Sequence, residues 1–298
     1  MHRVMSIFKS FLEYIKATKY NIGFVETPLK DIIEGGPISV NWLRHSYKDR
    51  WFADPFILNV TDDEIIALVE EWYDPIQRGR ISKLVIDKKS SELKKMDVVL
   101  DEGSHLSFPA IERVGEDIYI YPENSITGKL EYYKYNEKNV RFEKVGKLCE
   151  QPLTDAVIAK CFGHPLLFST KLPDANGKEL GIYSWNEKRK EFEIKEYCHF
   201  TENISRMAGA FFSYEGKIYR PAQVCIKSYG DAVSLQEVSF SQGKWSFNEI
   251  RRIYSPNPIY DLGFHTFNVY KDVIVVDALG FRRPKLAHGL RTISKWLK

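Results

Sequence analysis

The sequence of 298 residues contains only four cysteines, and no two of them form a CxxC pair. Cys149, Cys161, Cys198 and Cys225 are widely spaced along the chain. Thiolate metal sites and redox centres use closely spaced cysteines, so this spacing indicates reduced and mostly buried thiols. We therefore predict no disulfide framework, no metal site and no cofactor.

The chain also lacks a long apolar run and an excess of charge of one sign. No stretch reaches the roughly 18 apolar residues of a membrane span. Lys9, Glu13 and Lys16 interrupt the apolar residues near the N-terminus, unlike in a signal peptide. The net charge of +3 is too small to indicate a nucleic-acid partner. We therefore expect a cytoplasmic protein that does not bind nucleic acid.

What the chain does contain is a weak internal repeat. Similar apolar segments begin at Asp54, Phe108, Asp155, Gly209 and His265, at steps of 47 to 56 residues. Each segment is followed by a polar turn and a second apolar strand. Repeats of about this length are typical of radial or stacked architectures. The pattern predicts an all-β fold, a five-bladed β-propeller.

The fifth repeat is short of strands. Blades one to four are predicted at residues 51–100, 110–148, 156–196 and 210–253, each with four strands. Two further strands are predicted near the N-terminus, at residues 20–25 and 38–42. An N-terminal strand that joins the last blade closes the ring and removes free sheet edges. We therefore expect the N-terminal segment to complete blade five.

Both ends of the chain predict amphipathic helices. Apolar residues recur at helical spacing over residues 4–19 and again near the C-terminus, with lysines and arginines off the apolar stripe. One interpretation packs these helices against the propeller. The other places them on an anionic membrane surface, which makes the protein membrane-peripheral. The chain is interpreted as a single domain, 1–298, with helices at 1–19 and 281–298 around a propeller at 20–280.

Polar residues at equivalent blade positions are expected to converge on the axis of the propeller. A cavity ringed by carboxylates, arginine and histidine is costly to desolvate unless it binds something polar. Carboxylates accept hydrogen bonds from sugar hydroxyls, and aromatic rings cover the apolar faces of a sugar, so we expect a carbohydrate partner. The residues predicted to bind or act on a ligand in this cavity are Trp51, Asp54, Glu71, Ser107, Glu123, Asp155, Arg206, Arg220, Gln223, Tyr229 and His265. Glu70, Lys171 and Asp277 are also expected at the ends of second strands around it.

Four of these residues are candidates for catalysis of glycosyl cleavage, which needs one carboxyl group as acid and one as base or nucleophile. Asp54 is the candidate base, Glu123 the candidate acid, and Asp155 is expected to set the field around that acid. His265 is a further acid or base candidate, with a purely structural histidine as the alternative.

Structural alternatives remain open for each charged candidate. Asp54 and Asp155 also fit turn caps, and Glu123 also fits a salt bridge to Arg220. Arg206, like Arg220, suits either a clamp on an anionic group or simple neutralisation of the acids.

Several motifs carry a resemblance to a known family. They are Trp51-Phe52-Ala53-Asp54-Pro55, Ser107-Phe108-Pro109, Tyr121-Pro122-Glu123, Asp155-Ala156, Tyr219-Arg220-Pro221-Ala222-Gln223, Tyr229-Gly230 and Gly263-Phe264-His265-Thr266. Together these motifs, within residues 51–278, resemble the propeller domain at the N-terminus of plant glucosamine inositolphosphorylceramide transferases and its bacterial relatives. More distantly, the chain resembles family 43 glycoside hydrolases, five-bladed propellers that also open blades one and three with an aspartate.

The second resemblance implies roles for individual residues. In family 43 the first aspartate is the general base, which corresponds to Asp54, and the second tunes the acid, which corresponds to Asp155. The family's general acid is a glutamate that opens blade four, where this chain has Met207-Ala208-Gly209. The acid is therefore missing or relocated, with Glu123 and His265 as substitutes.

These observations lead to one main functional interpretation and two alternatives. The main one is an enzyme that cleaves or transfers a glycosyl unit, in the surface glycan metabolism that the resemblance implies. The first alternative is a non-catalytic glycan-binding propeller tethered at a membrane face by its terminal helices. The second, a protein-interaction propeller, leaves the acidic cavity unexplained.

Overall fold

The computed structural model describes residues 15–287 and residue 289, and within them the chain forms twenty strands in five four-stranded antiparallel sheets. The N-terminal elements are β1 (Thr18–Val25), α1 (Leu29–Ile33) and β2 (Val40–Trp42). Blade one contains β3 (Arg50–Val60), β4 (Glu64–Tyr73), β5 (Arg78–Asp87) and β6 (Leu93–Leu100). Blade two contains β7 (Ser107–Val114), β8 (Asp117–Glu123), β9 (Leu130–Asn136) and β10 (Arg141–Cys149).

The remaining blades follow in chain order. Blade three contains β11 (Leu153–Ala159), β12 (Leu166–Lys171), β13 (Glu179–Asn186) and β14 (Glu191–His199). Blade four contains β15 (Phe212–Tyr214), β16 (Lys217–Val224), β17 (Ala232–Ser241) and β18 (Lys244–Ile253). The last two strands are β19 (Phe267–Tyr270) and β20 (Val273–Phe281). The five sheets confirm the predicted all-β five-bladed propeller.

The N-terminal strands close the ring, as predicted. Blade five has the order β19-β20-β1-β2, so two strands from each end of the chain form one sheet. Strand β1 pairs with β20 along its whole length, from Thr18 opposite Phe281 to Val25 opposite Ile274. Ile22 is fully buried in the core that blade five shares with blade one. Hydrophobic burial therefore reinforces the backbone pairing that joins the chain ends.

The described residues agree with the predicted terminal helices only in part. Residues 15 and 16 are helical, but Thr18 and Lys19 already belong to β1, so the helix predicted to residue 19 is too long. Pairing with β20 overrides the local helical periodicity there. At the other end, Phe281 completes β20 and residues 284–287 are helical. The rest of both predicted helices lies outside the described residues. Within the described part of the chain, no helix has the length and apolar character that crossing a bilayer requires.

A shared irregularity in three blades positions the polar residues of the axis. In blade one, Ala53 pairs with Glu70 and the next paired residue is Phe56, opposite Leu68, so β3 carries one extra residue. Strands β7 and β11 carry the same β-bulge. Such bulges bend a strand and redirect its side chains.

Each of these three bulges contains a residue with positive φ. The φ values are 49° for Asp54, 45° for Phe108 and 47° for Asp155. Non-glycine residues adopt this left-handed conformation rarely, and a bulky residue does so only when its surroundings impose it. The three residues also begin the first three sequence repeats, so the repeat marks a real structural register.

Candidate functional site

Polar contacts at the bulges link neighbouring blades around the axis. Asp277 in blade five accepts a hydrogen bond from the backbone N–H of Asp54 at 2.8 Å, through Oδ2. Asp54 Oδ2 accepts one from the N–H of Phe108 in blade two at 3.1 Å. Glu123 Oε2 accepts one from the N–H of Asp155 in blade three at 3.0 Å. The bulges thus turn backbone donors toward carboxylates of the preceding blade, which brings acids from four blades together.

His265 lies between two of these carboxylates. Its Nδ1 atom is 2.6 Å from Asp277 Oδ1, and its Nε2 atom is 3.3 Å from Asp54 Oδ1. Burial disfavours the charged imidazole, but the Asp277 and Asp54 carboxylates outweigh burial and raise the pKa of His265 to about 9. His265 is therefore an imidazolium at neutral pH, and the structure places it beside Asp54 at the axis.

Asp54 is the carboxyl group of this cluster with one oxygen that accepts no hydrogen bond. Its side chain is buried, and this oxygen, Oδ1, has His265 Nε2 3.3 Å away as its ion-pair partner. Burial raises the pKa of Asp54 to about 7, with the negative charges of Asp155 and Asp277 adding to the increase and His265 opposing it. A carboxyl group with such a pKa can both accept and give up a proton near neutral pH.

Arg206 joins the carboxylates of blades two and three. Its Nε donates to Asp155 Oδ2 at 2.6 Å, and a terminal nitrogen donates to Glu123 Oε2 at 3.0 Å. Gln223 Nε2 donates to the same Asp155 oxygen at 2.6 Å. Burial nevertheless raises the pKa of Asp155 to about 7, because the neighbouring Glu123 carboxylate counteracts Arg206. One hydrogen-bonded group therefore contains Asp155, Glu123, Arg206 and Gln223. The sequence analysis predicted that all four face the same cavity.

Two predicted site residues lie elsewhere. The Glu71 carboxylate is saturated by Arg50, Arg80 and Ser82 at distances of 2.6 to 3.1 Å. Its neighbour Glu70 faces the channel acids instead, since successive strand residues point to opposite faces. Burial, followed by the charges of Asp54 and other channel carboxylates, raises the pKa of Glu70 well above its usual value.

Arg220 is the second residue placed differently. Its guanidinium is fully buried inside blade four, where it donates to Gln236 Oε1 at 2.7 Å and lies 5.4 Å from the Phe200 ring. Burial lowers the pKa of Arg220 to about 9. The alternative interpretation, a salt bridge between Glu123 and Arg220, is wrong, because Glu123 pairs with Arg206 instead.

Aromatic rings surround the imidazole of His265. The ring centroids of Tyr20 and Tyr229 lie 4.6 Å and 5.4 Å from it. Tyr20 also contacts Trp51 at 5.3 Å, and Trp51 stacks on Trp72 with an interplanar angle of 2°. Tyr229 is 40% exposed, so this aromatic cluster is open to solvent on one side. We call these four residues, Tyr20, Trp51, Trp72 and Tyr229, the aromatic cluster.

The remaining residues of the site are Ser107, which was predicted to face the cavity, and three further residues that lie near the axis. Ser107 is buried and pairs with Glu123 where the first two strands of blade two meet. The sequence pattern placed Glu70 and Asp277 at the ends of second strands around the cavity but gave them no role, and it did not select Tyr20. Asp277 is the one charged residue within the apolar strand β20. Tyr20 gave no signal in the sequence, because its orientation depends on the pairing of β1 with β20.

A possible cation position exists in the same cluster. Asp54, His265 and Asp277 offer ligand atoms that all lie within 4.8 Å of one another. The 2.6 Å separation of His265 Nδ1 and Asp277 Oδ1 is a hydrogen-bond distance. The imidazole proton therefore satisfies this pair, and the donor set is explained without a cation.

Fold and site together define a five-bladed propeller with an acidic axis beside an aromatic cluster. Residues 39–256 match the family model described as glucosamine inositolphosphorylceramide transferase 1, N-terminal, and the chain belongs to this family. The similarity expected from the sequence motifs is thereby confirmed.

Individual relatives support the same assignment. A protein of Oryza sativa subsp. japonica named glucosamine inositolphosphorylceramide transferase 1 is 27% identical over 199 residues, which cover 64% of this chain and 27% of that protein. The Arabidopsis thaliana protein of the same name is 24% identical over 198 residues, covering 63% and 25%. The chain thus spans about a quarter of the length of these curated relatives.

Solved structures share the fold. CoXyl43, a GH43 β-xylosidase/α-arabinofuranosidase from a compost microbial metagenome, superposes with a TM-score of 0.53 at 10% identity, covering 79% of this chain and 92% of that one. The β-xylosidase RS223 gives a TM-score of 0.52 at 11% identity, covering 77% and 92%. At such low identity, the likeness concerns the fold alone.

Proposed function

We propose that this protein binds a carbohydrate at the aromatic cluster and cleaves or transfers a glycosyl unit at the axis. The observation that carries the proposal is the environment of Asp54, which is buried, has a pKa raised to about 7, and has one carboxylate oxygen that accepts no hydrogen bond and lies 3.3 Å from His265 Nε2. Groups with strongly perturbed pKa values cluster at functional sites.

In this proposal, Asp54 acts as the base. Its Oδ1 atom takes the proton of a water molecule or of an acceptor hydroxyl as that oxygen attacks the anomeric carbon. His265 lies beside it as an imidazolium, held by Asp277, and stabilises the carboxylate form of Asp54 before the proton moves. Asp277 is a positioning residue, because it acts through His265 and through the N–H of Asp54.

The proposed acid is the pair formed by Glu123 and Asp155, which gives its proton to the leaving oxygen as the bond between that oxygen and the anomeric carbon breaks. Glu123 alone suits proton donation poorly, since Oε1 accepts a hydrogen bond from Ser125 and Oε2 accepts from Arg206 and from the N–H of Asp155. Two neighbouring carboxylates beside a single arginine retain a proton more readily than an isolated acid. The raised pKa of Asp155 supports such a shared proton.

A second candidate function is non-catalytic glycan binding. It is favoured by Arg206, which pairs with both Glu123 and Asp155 and thereby offsets much of the acidity on that side of the axis. The family model that matches describes an N-terminal part, and the chain spans about a quarter of its curated relatives. The transferase activity in the relatives' names is therefore not assigned to this propeller directly.

A glycan array followed by a turnover assay tests both functions. Tyr229→Ala is expected to weaken binding about tenfold through loss of ring contact, whereas Tyr254→Ala, which removes another exposed tyrosine, leaves binding unchanged. The selected glycans, and the inositolphosphorylceramide of the relatives' name, then serve as substrates, with released or transferred sugar detected by mass spectrometry.

The turnover assay separates catalysis from binding. Asp54→Asn is expected to keep glycan binding and to lose about 100-fold or more in turnover, the contribution of a general base. Asp62→Asn, in an exposed turn of the same blade, is the matched control with unchanged turnover. Binding without turnover by the wild-type protein establishes the non-catalytic function. Binding that is equal in wild type and Tyr229→Ala contradicts both functions.

The cytoplasmic and membrane-peripheral location remains a proposal. It depends on the two basic ends of the chain. Most residues of both ends lie outside the described residues. Flotation with anionic liposomes, with and without residues 1–14, tests it, and equal flotation of the two forms excludes the N-terminal segment as an anchor.

A further inference from the structure

A cavity separate from the polar cluster at the axis lies between blades five and one. It is a cavity of about 430 Å³ bordered by β1, by the segment between β2 and β3 and by the residues that follow β20. Six cationic side chains line it, and none of the described lining residues is acidic. The six are Lys19, Arg44, Lys48, Arg50, Arg282 and Arg283. We call this cavity the basic pocket.

Part of this positive charge is neutralised from behind the pocket wall. Arg50 is paired with Asp49 and Glu71, Arg282 with Asp74, and Arg44 with Glu92. The close pairs hold the guanidinium groups of Arg50 and Arg282 in place, whereas the Arg44–Glu92 pair is exposed to solvent. None of these ion pairs neutralises the two lysines of the pocket.

The two lysines of the pocket carry the excess charge. Neither Lys19 nor Lys48 has an ion-pair partner within the part of the chain that the structure describes. Burial, together with the charges of Lys48 and Arg282, lowers the pKa of Lys19. Like charges held together at a partly buried site are unfavourable, and a bound anion removes the repulsion.

A buried acceptor in the same pocket has no partner. Asn21 is only 4% exposed, and its Nδ2 atom donates to the Leu43 carbonyl and to the Tyr260 hydroxyl, both at 3.1 Å. The Leu43 carbonyl requires a donor, which fixes the orientation of the amide. Asn21 Oδ1 is left without a hydrogen bond, which is unfavourable for a buried acceptor. A ligand hydroxyl satisfies it.

His45 provides a second unsatisfied atom in the pocket. Its Nδ1 atom is buried without a partner. Burial and the surrounding Lys19, Lys48 and Arg50 charges lower the pKa of His45 to about 4, so the ring is neutral at physiological pH. A neutral imidazole accepts a hydrogen bond from a hydroxyl as readily as it donates one.

We propose that the basic pocket binds a phosphorylated polyol. Its phosphate lies against Lys19 and Lys48, and one of its hydroxyls donates to Asn21 Oδ1. Cations alone recognise any phosphate, whereas the buried acceptor adds selectivity for a hydroxyl on the same molecule. Lys19 and Arg50 directly precede Tyr20 and Trp51 in β1 and β3, so their side chains point to the opposite faces of these strands and the basic pocket is separate from the aromatic cluster. The proposal does not depend on the chemistry at the axis.

Isothermal titration calorimetry of the full chain tests this assignment with three probes: inositol monophosphate, inorganic phosphate and unphosphorylated inositol. Inositol monophosphate is expected to bind most tightly. Lys48→Gln is expected to weaken that binding about tenfold, as the loss of one charge-assisted contact predicts. Lys188→Gln, which removes an exposed lysine in blade three, is expected to leave it unchanged.

Asn21→Ala separates the hydroxyl contact from the charge. It is expected to weaken inositol monophosphate and to leave inorganic phosphate unchanged, with thermal unfolding checked in parallel. Equal affinity for inositol monophosphate and inorganic phosphate overturns the polyol assignment. Equal losses in Lys48→Gln and Lys188→Gln, or no binding of either phosphate, overturn the site.

The source of the polyol phosphate is distinguished with vesicles. Phosphatidylcholine vesicles with and without phosphatidylinositol are compared in a sedimentation assay. Binding that requires phosphatidylinositol and is lost in Lys48→Gln identifies a lipid headgroup. Binding of the free phosphate without any binding to these vesicles identifies a soluble ligand, and both results support the pocket.

Discussion

Asp54 and His265 come from opposite ends of the chain, yet Asp54 Oδ1 and His265 Nε2 lie 3.3 Å apart at the propeller axis. The contact exists because blade five closes against blade one. It places a carboxyl group with a pKa raised to about 7 beside an imidazole with a pKa raised to about 9. At neutral pH these two residues together bind more protons in the folded protein than in the unfolded chain. The stability of the protein therefore depends on pH.

The pH dependence of stability is expected to report on Asp54. Its pKa is about 7 in the folded protein against 3.8 for the free side chain, so folding favours the protonated form. The contribution of Asp54 to the free energy of unfolding therefore decreases as pH rises from about 4 to 7. Asp54→Asn removes this contribution, and its stability relative to wild type is expected to increase across that interval.

Chemical denaturation at a series of pH values measures this difference. Asp62→Asn serves as the control, because its side chain is exposed and its stability relative to wild type should not change with pH over the interval. A constant difference between Asp54→Asn and wild type from pH 4 to 7 contradicts the assignment of the raised pKa to Asp54.

Replacement of Arg206 is expected to be far more damaging than replacement of a surface arginine with similar contacts. Arg206→Met leaves the buried Asp155 and the partly buried Glu123 without their shared cation, at a cost of about 3–5 kcal/mol. Arg252 also bridges two glutamates, but its partners are partly exposed, so Arg252→Met should cost less than about 1 kcal/mol. Unfolding free energies that are similar for the two variants would show that the Arg206 cluster is hydrated.

Gly230 is expected to control the position of the His265 ring. It has a φ of +60°, and a Cβ at this position would lie 2.5 Å from His265 Cβ. Gly230→Ala should therefore combine backbone strain with a displaced imidazole. Gly216, with a φ of +76° and open space around it, isolates the backbone component, which is about 1–2 kcal/mol.

Thermal unfolding and glycan binding compare the two alanine variants. The clash is expected to make Gly230→Ala less stable than Gly216→Ala by about 1–3 kcal/mol, and only Gly230→Ala should lose affinity for the glycan. Equal behaviour of the two variants would mean that His265 moves aside freely and that the ring position has no role.

Closure of the ring is expected to depend on β1. Ile22 is fully buried between blades five and one, and Ile22→Ala should cost about 2–5 kcal/mol through loss of packing and the cavity that remains. Ile126→Ala, at a residue that is 78% exposed, should change stability little. Denaturant unfolding distinguishes the two, and a small cost at Ile22 would indicate that the N-terminal strand is dispensable.

Much of the architecture could be predicted because the repeat is visible in the amino-acid sequence. Asp54, Phe108 and Asp155 begin equivalent segments, and all three prove to be the positive-φ residues of equivalent bulges. The closing strand could be predicted because the fifth repeat is incomplete and an open sheet edge is unfavourable. In blades one to three, the start of the sequence repeat therefore coincides with the β-bulge of the first strand.

The orientation of single side chains was less predictable. Glu70 and Glu71 are neighbours in β4, and only the pairing register decides which one faces the axis, since a shift of one residue exchanges the two faces. Arg206 and Arg220 posed a similar choice. The first strand of blade four is only three residues long, so the channel-facing arginine comes from the segment before it.

The most direct test of the account is a crystal structure of the chain with an oligosaccharide selected on the array. The account predicts a sugar ring against Tyr229, with an oxygen of the reacting unit within hydrogen-bond distance of Asp54 Oδ1. A sugar bound on the outer strands of a blade, with the surroundings of Asp54 and His265 unchanged, would contradict it.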